Sequence, residues 1–408
     1  MPISSSCRLY QRALAAGSAC TRPAFLARWR SNARRIPAIS SDILIYGVGD
    51  IAPDRPDPRD CFALVRDEIR KADAAFCQLE VNITDRGERL PQCRHTHRAV
   101  AGTGAAIRDA GFTVVSCAGN HCMDWGKVGL ADTMENLTAA GLEVVGAGVD
   151  IAAARKPVIT EVKGRRIAFL AYNSILPMGY WAEENRPGCA PMRAWTHYEQ
   201  IEHDQPGTPA RVHTFPNRED LDAMLADIAA VRAKADVVIL SLHWGIHFIP
   251  AVIAQYQRDI AHAAIDAGVD LILGHHAHIL KGVEVYKGAP IFYSLSQFAM
   301  DIRISEAHSK TKGFREIQAL HPHWQPEFDT LFGFPDDCRM TGVVKYVIGA
   351  DGPRTTFLPA YINRDAQPEI LKAGDPRFDQ ILNYLRQISA AEDLPITYTV
   401  EGDEIVVS

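Results

Sequence analysis

The chain has 408 residues, 47% hydrophobic and 23% charged, an ordinary globular balance and enough length for one large domain with insertions or two modest ones. A formal net charge of -6 argues against a general nucleic-acid binder, which carries a basic face, but leaves room for a small anionic substrate held in a local basic pocket. No run approaches the roughly eighteen apolar residues that a membrane span requires.

Nine cysteines are scattered along the chain without a C-x-x-C pair, which argues against a disulfide framework or a zinc knuckle. Several sit in apolar runs, as Cys77 does in Ala74–Leu79, and read as small buried hydrophobes of a protein in a reducing, cytoplasmic compartment. Residues 1–40 hold seven arginines and no acidic residue. They read as a disordered or targeting extension outside the fold, and a mitochondrial or other organellar transit peptide is the alternative that composition supports.

From residue 42 the pattern turns regular. A glycine-closed apolar run at 42–49 predicts a buried strand, 60–72 a helix, 74–79 a strand, 105–110 a helix and 113–117 a strand. An amphipathic helix follows at 128–140, then an apolar run at 143–146 and a hairpin at 158–162 and 167–171 turned by Lys163-Gly164. A helix over 217–235, with Glu219 and Asp220 in its first turn, suits the helix dipole. The strand 237–242, helix 252–267, strand 271–274 and strand 291–294 complete the alternation. Strands that are apolar throughout and alternate with helices define an α/β protein whose sheet is covered on both faces. Two stretches, 174–216 and 302–340, lack a period and are rich in Trp, His or Phe; they read as functional insertions. The main domain is expected over 41–362, with a C-terminal helix and tail at 363–408.

Ligand-type residues close one strand after another: Asp50, then Glu80, then Asn120 with His121, then His243, then His275, His276 and His278. In an open α/β sheet ligands bind outside the carboxyl ends of the strands, so these side chains converge. Imidazole, carboxylate and amide oxygen together suit zinc, manganese or iron better than calcium. Such an ion activates water and polarises a carbonyl or phosphoryl group. His276 and His278, two apart, can point to one ion if their turn is extended.

Gly49-Asp50, Gln78-Leu-Glu80, Ala118-Gly-Asn-His121 with Asp124-Trp-Gly126, His243-Trp-Gly245, Gly274-His-His-Ala-His278 and Tyr293-Ser-Leu-Ser-Gln-Phe298 fall in the order and spacing of the CapA family. That family comprises the capsule, or poly-γ-glutamate, synthesis accessory proteins related to calcineurin-like metallophosphoesterases. The resemblance covers residues 42–301. It implies a four-layer metallophosphoesterase-like sandwich, two mixed sheets flanked by helices, with one or two divalent ions at the strand ends. By the same resemblance Asp50 and Glu80 are carboxylate ligands, Glu80 bridging if two ions bind. Asn120, His243 and His276 look like ligands of one site and His278 of the other. His121 resembles the imidazole that protonates the leaving group, with Asp124 orienting it, a role that suits imidazole. Arg98 resembles a position that binds a substrate carboxylate.

The sequence departs from the pattern at four places. The phosphoesterase Asp-x-His opening is Asp50-Ile-Ala52 here, and Glu80 stands where phosphoesterases carry Asp. Gln78 replaces Asn, and Ser296-Gln297 replaces Gly-Asn before Phe298, which implies an altered substrate edge that includes Gln297. His95 and His97, with Arg94 and Arg98, form a basic segment. His247, His262, His308, His321 and His323 read as structural or surface residues. No serine-hydrolase elbow or P-loop occurs. The expectation is a metal-dependent hydrolase acting on an amide, γ-glutamyl-like bond of a small or polyanionic peptide-like substrate. Phosphoester hydrolysis at the same site, and a non-catalytic polymer-binding accessory role, are the alternatives. With no membrane tether in the sequence, a tailoring or catabolic enzyme is favoured over a tethered assembly subunit.

Overall fold

The computed structural model describes residues 42–93, 97–319, 321–322 and 324–408. The extension at 1–40, together with Arg94, His95 and His323, lies outside the described residues. The first apolar run forms the strand Ile43–Ala52, buried along almost all its length because it is central in a ten-stranded mixed sheet. On one side it pairs in parallel with Ala74–Leu79, followed by Val114–Ser116 and Glu143–Val145. On the other it pairs antiparallel with Met340–Gly349, followed by Gly352–Ile362. A second, six-stranded sheet runs in the order Val283–Tyr286, Ala289–Phe292, Leu271–His275, Val237–His243, Arg165–Asn173, Val158–Val162. Its four central strands are parallel.

Strand periodicity decides the layering. Successive side chains of a strand point to opposite faces, and along Arg165–Asn173 the residues Ile167, Phe169 and Ala171 enter the core shared with the larger sheet. Their neighbours Ala168, Leu170 and Tyr172 enter a second core with Met224 and Ile228 of the helix Arg218–Arg232 and Ile260 and Ile265 of Gln255–Ala267. The two sheets meet face to face, with Phe76 stacked on Phe169 at 5.9 Å and Phe292 against Phe357 at 6.2 Å. Helices Thr103–Asp109 and Gly126–Ala139 contribute Ile107, Leu130 and Leu137 to cover the larger sheet. The result is the helix–sheet–sheet–helix sandwich with two mixed sheets.

Several elements differ from expectation. Residues 60–72 form a short 3-10 turn, Pro58–Phe62, and one helical turn, Arg66–Ile69; breaking the helix lets Cys61, Phe62, Val65 and Ile69 all reach the core. The first insertion carries a hairpin, Ala194–Gln200 with Ala210–Pro216. The second carries two helices, Glu306–Ser309 and Lys312–Gln318, whose N-terminal amides are capped by Ser305 and Thr311. Beyond 363 the expected helix and tail are present as Pro376–Ala391 and the strands that follow it, and the tail joins the larger sheet. Pro368–Ile370 and Glu404–Val407 both pair with Gly352–Ile362, and Tyr398–Glu401 pairs with Glu404–Val407. Phe378, Ile381 and Leu385 of the helix Pro376–Ala391 enter the shared core, which explains the attachment. The seven cysteines among the described residues are buried and form no disulfide. Among the described residues no helix is long and apolar enough to cross a membrane.

Phe169 is fully buried where the sheets touch. Phe169→Ala is expected to lower unfolding free energy by about 3–5 kcal/mol, the range for emptying a buried aromatic site, read from urea titrations by circular dichroism.

Candidate metal centre

Asp50 is placed by a break in strand pairing. Register shifts on both sides of it, where Gln297–Met300 comes in beside the end of Ile43–Ala52. A side chain at Gly49 would sit 2.2 Å from the Ser296 carbonyl oxygen, so only glycine admits this approach. Asp50, wholly buried, accepts the His276 backbone N–H through Oδ2 at 2.9 Å, and His275 Nδ1 lies 3.2 Å from its Oδ1. Glu80 follows Ala74–Leu79 directly, its N–H bonded to the Ile51 carbonyl at 2.9 Å.

The strand ends bring six of the predicted side chains together. Glu80 Oε1 is 3.0 Å from His243 Nε2, and Glu80 Oε2 is 3.7 Å from His278 Nε2. Asn120 Oδ1 is 2.6 Å from the same His243 nitrogen. Glu80, His243 and His276 each present a ligand atom within 4.8 Å of the others, and so do Asp50, Glu80 and His278. Glu80 is common to both groups. His276 and His278 do not share one group: their turn is kinked, with φ of 85° and 56°, and these left-handed backbones send the two rings 6.2 Å apart. Ser296 on the facing loop is also left-handed, φ 63°. Strain of this kind costs roughly 1–3 kcal/mol per residue and collects at functional sites.

The electrostatics fit a cation. Asp50 Oδ1, Glu80 Oε1, His243 Nδ1 and His276 Nδ1 are buried and make no hydrogen bond among the described residues, a cost of about 1–3 kcal/mol for each such group. Burial, then the nearby Asp50 and Asp124 charges, pushes the Glu80 carboxyl well above the usual range. Burial and neighbouring imidazoles hold His243 and His276 well below theirs. Neutral imidazoles and carboxylates that cannot tolerate one another's charge are what a divalent ion relieves. Zinc, manganese and iron all match this mixed nitrogen and oxygen donor set.

Beside the cluster, Asp124 Oδ2 accepts from His121 Nδ1 at 2.7 Å, and Asp124 Oδ1 accepts from the Tyr180 hydroxyl at 2.9 Å. His121 and Asp124 line a cleft of about 860 Å³, counted to its open mouth, with Glu80 and His278. Its far wall comes from the second insertion: Ile304, Phe314, Trp324 and Phe334. Two predicted residues lie elsewhere. Arg98 stacks over Trp125 at 3.3 Å and bonds the Asp85 carbonyl, lining a separate surface groove with Asp132 and Asn136. Gln297 is buried behind Asp50, its amide donating to the Cys338 carbonyl at 3.3 Å.

Sequence reasoning passed over Tyr180 and His247. His247, read as structural, stacks on His276 at 3.8 Å and on His278 at 5.1 Å and lines the cleft. Its position four residues past His243 was the available signal. Tyr180 carried none, since its insertion has no period.

The chain belongs to the bacterial capsule synthesis protein family PGA_cap, whose family model matches residues 41–302. It is 33% identical over 196 residues to the "PGA biosynthesis protein CapA" of Bacillus subtilis (strain 168), covering 48% of this chain and 44% of that protein. It is 32% identical over 261 residues to a "Probable polyglutamine synthesis accessory protein" of Mycobacterium tuberculosis (strain ATCC 25618 / H37Rv), covering 62% of each. The chain thus spans about half to three fifths of these relatives' lengths. Among solved structures, the calcineurin-like phosphoesterase YfkN from Bacillus subtilis superposes with a TM-score of 0.36 at 13% identity, over 86% of this chain and 97% of that one.

Because burial pushes the Glu80 carboxyl well above its usual range and holds His243 and His276 well below theirs, ion entry is expected to displace a proton from Glu80. Affinity for Zn²⁺ or Mn²⁺ should therefore rise with pH. Calorimetry in buffers of different ionisation enthalpy measures both, and Glu80→Gln should abolish the proton release.

Proposed function

We propose that the chain is a metal-dependent hydrolase of an amide, γ-glutamyl-like bond. The observation that carries this reading is the His121–Asp124–Tyr180 relay, set in the cleft beside a carboxylate common to two ligand groups. Asp50, Glu80, Asn120, His243, His276 and His278 would hold one or two divalent ions, which supply Lewis acidity and an activated water. The chain's own contribution is proton delivery. Asp124 accepts from His121 Nδ1–H, fixing the ring so that Nε2 holds the proton given to the departing nitrogen. Tyr180, donating to the other Asp124 oxygen, keeps that carboxylate from turning away. The PGA in the name of the Bacillus relative, read as the poly-γ-glutamate of the CapA resemblance, supports an amide over other bonds.

A second reading, phosphoester hydrolysis, is favoured by one observation: two ligand groups sharing Glu80 suit a paired-ion clamp on a phosphoryl group. A polymer-binding accessory role without turnover is the remaining outcome.

Purified protein loaded with Mn²⁺ or Zn²⁺ is offered γ-glutamyl-p-nitroanilide, γ-glutamylmethylamide and p-nitrophenyl phosphate. Amide turnover is expected, with His121→Ala lowering kcat by roughly 10²–10⁴, more on the methylamide, whose amine is the poorer leaving group. Tyr180→Phe should cost about tenfold or less, the worth of one hydrogen bond. Both variants should keep their metal, and His276→Ala should lose it. Turnover of the phosphate alone would select the second reading. Bound metal with turnover of neither would leave the accessory role.

A further inference from the structure

The second insertion gives the cleft a wall quite unlike the metal side. Phe314 and Trp324 have ring centroids 5.0 Å apart, Trp324 and Phe334 6.4 Å, and Phe334 and the His278 imidazole 5.3 Å. This is an unbroken run of rings ending on a residue of the metal centre. Ile304, Phe314 and Trp324 form their own small hydrophobic cluster, so the wall is held by its own packing.

Charges along the same cleft are nearly all committed. Asp301 is paired with Arg55 at 2.5 Å, both buried. His97 Nδ1 lies 3.0 Å from Asp54, and Asp124 is held by His121 and Tyr180. Arg303 is different. It is exposed, lines the cleft, and makes no hydrogen bond or ion pair among the described residues. Its backbone is fixed on both sides. Ile302 exchanges backbone hydrogen bonds with Leu331 and Gly333 at 2.7 and 2.8 Å, and Ile304 is buried. The guanidinium fork of such an arginine matches the geometry of a carboxylate.

We propose that this cleft selects a small substrate with a single carboxylate, held by Arg303, next to a ring-sized apolar body lying on the Phe314, Trp324 and Phe334 wall. A γ-linked glutamate polymer carries a carboxylate on every residue. Further carboxylates would be desolvated against aromatic rings, with no second arginine or lysine lining the cleft among the described residues, so the polymer is the poorer ligand. The proposal rests on the hydrolase reading for placing the scissile bond at the metal centre, but its test is binding and does not depend on turnover.

The metal-loaded full chain is titrated calorimetrically with hippurate (ring, amide and one carboxylate), N-acetylglycine (no ring), benzamide (no carboxylate) and γ-linked triglutamate. Hippurate is expected to bind most tightly. Arg303→Ala should weaken hippurate and N-acetylglycine by roughly tenfold or more and leave benzamide unchanged. Arg303→Lys should recover part of the loss. Trp324→Ala should weaken hippurate and benzamide but not N-acetylglycine, with melting temperature checked for each variant. Triglutamate binding as tightly as hippurate would overturn the proposal, as would hippurate binding indifferent to Arg303→Ala, which would place its carboxylate on the metal. Hippurate binding as expected in a protein that turns over nothing would sink the hydrolase reading alone.

Discussion

Glu80 lies 3.0 Å from His243 and 3.7 Å from His278, in a pocket that also buries Asp50. Two carboxylates and several imidazoles in one dry space form an unstable set, since the acids repel one another and burial disfavours every charged form. Burial accordingly pushes the Glu80 carboxyl well above its usual range and holds His243 and His276 well below theirs. That arrangement tolerates the cluster without satisfying it, as the unbonded Asp50 and Glu80 oxygens record. Everything else near the site follows from keeping these groups together. The glycine at 49 lets two strands touch, and left-handed backbones at His276, His278 and Ser296 aim side chains a regular turn would point elsewhere.

The framework that bears this strain is stiff. Asp50, Glu80 and His243 stand at or just past the ends of central strands in two sheets packed through Phe76, Phe169, Phe292 and Phe357. Interiors packed this densely deform little, so an unfavourable cluster at their edge stays in place instead of relaxing into solvent. Strands supply the position and loops supply the chemistry's surroundings, an economy general to α/β sites.

How much of this was legible can be argued residue by residue. The strand-end positions were readable because fully buried parallel strands are continuous apolar runs, and a polar residue closing each run stands out. His276 and His278 are readable as ligand types from their spacing, and the family resemblance assigns them to separate groups; the two left-handed backbone angles that part their rings are not encoded by spacing. The hairpin Met340–Gly349 with Gly352–Ile362 had an apolar run and a glycine turn in its sequence. Following an aperiodic insertion, it was passed over, and so the sheet role of the residues beyond 363 was lost as well. Arg98 shows the opposite failure. A fork-bearing arginine near the motif looked like a substrate anchor, yet its guanidinium rests on Trp125, a contact between residues 27 apart in sequence.

The two insertions carry what local pattern does not show, and they act on different parts of the site. Tyr180 comes from the first and fastens Asp124, which fastens His121; in the proposed reaction that chain would orient the proton donor. Phe314, Trp324 and Arg303 come from the second and line the same cleft as Glu80 and His278; in the proposed selection that wall would sort what can enter. A strand-end cluster whose ligand types are set by coordination chemistry leaves little room for variation, because removing one partner exposes a buried charge at several kcal/mol. A loop wall with its own small core can change without that penalty. Specificity in this chain is therefore expected to reside in residues 302–334, and the shared chemistry in the strand ends.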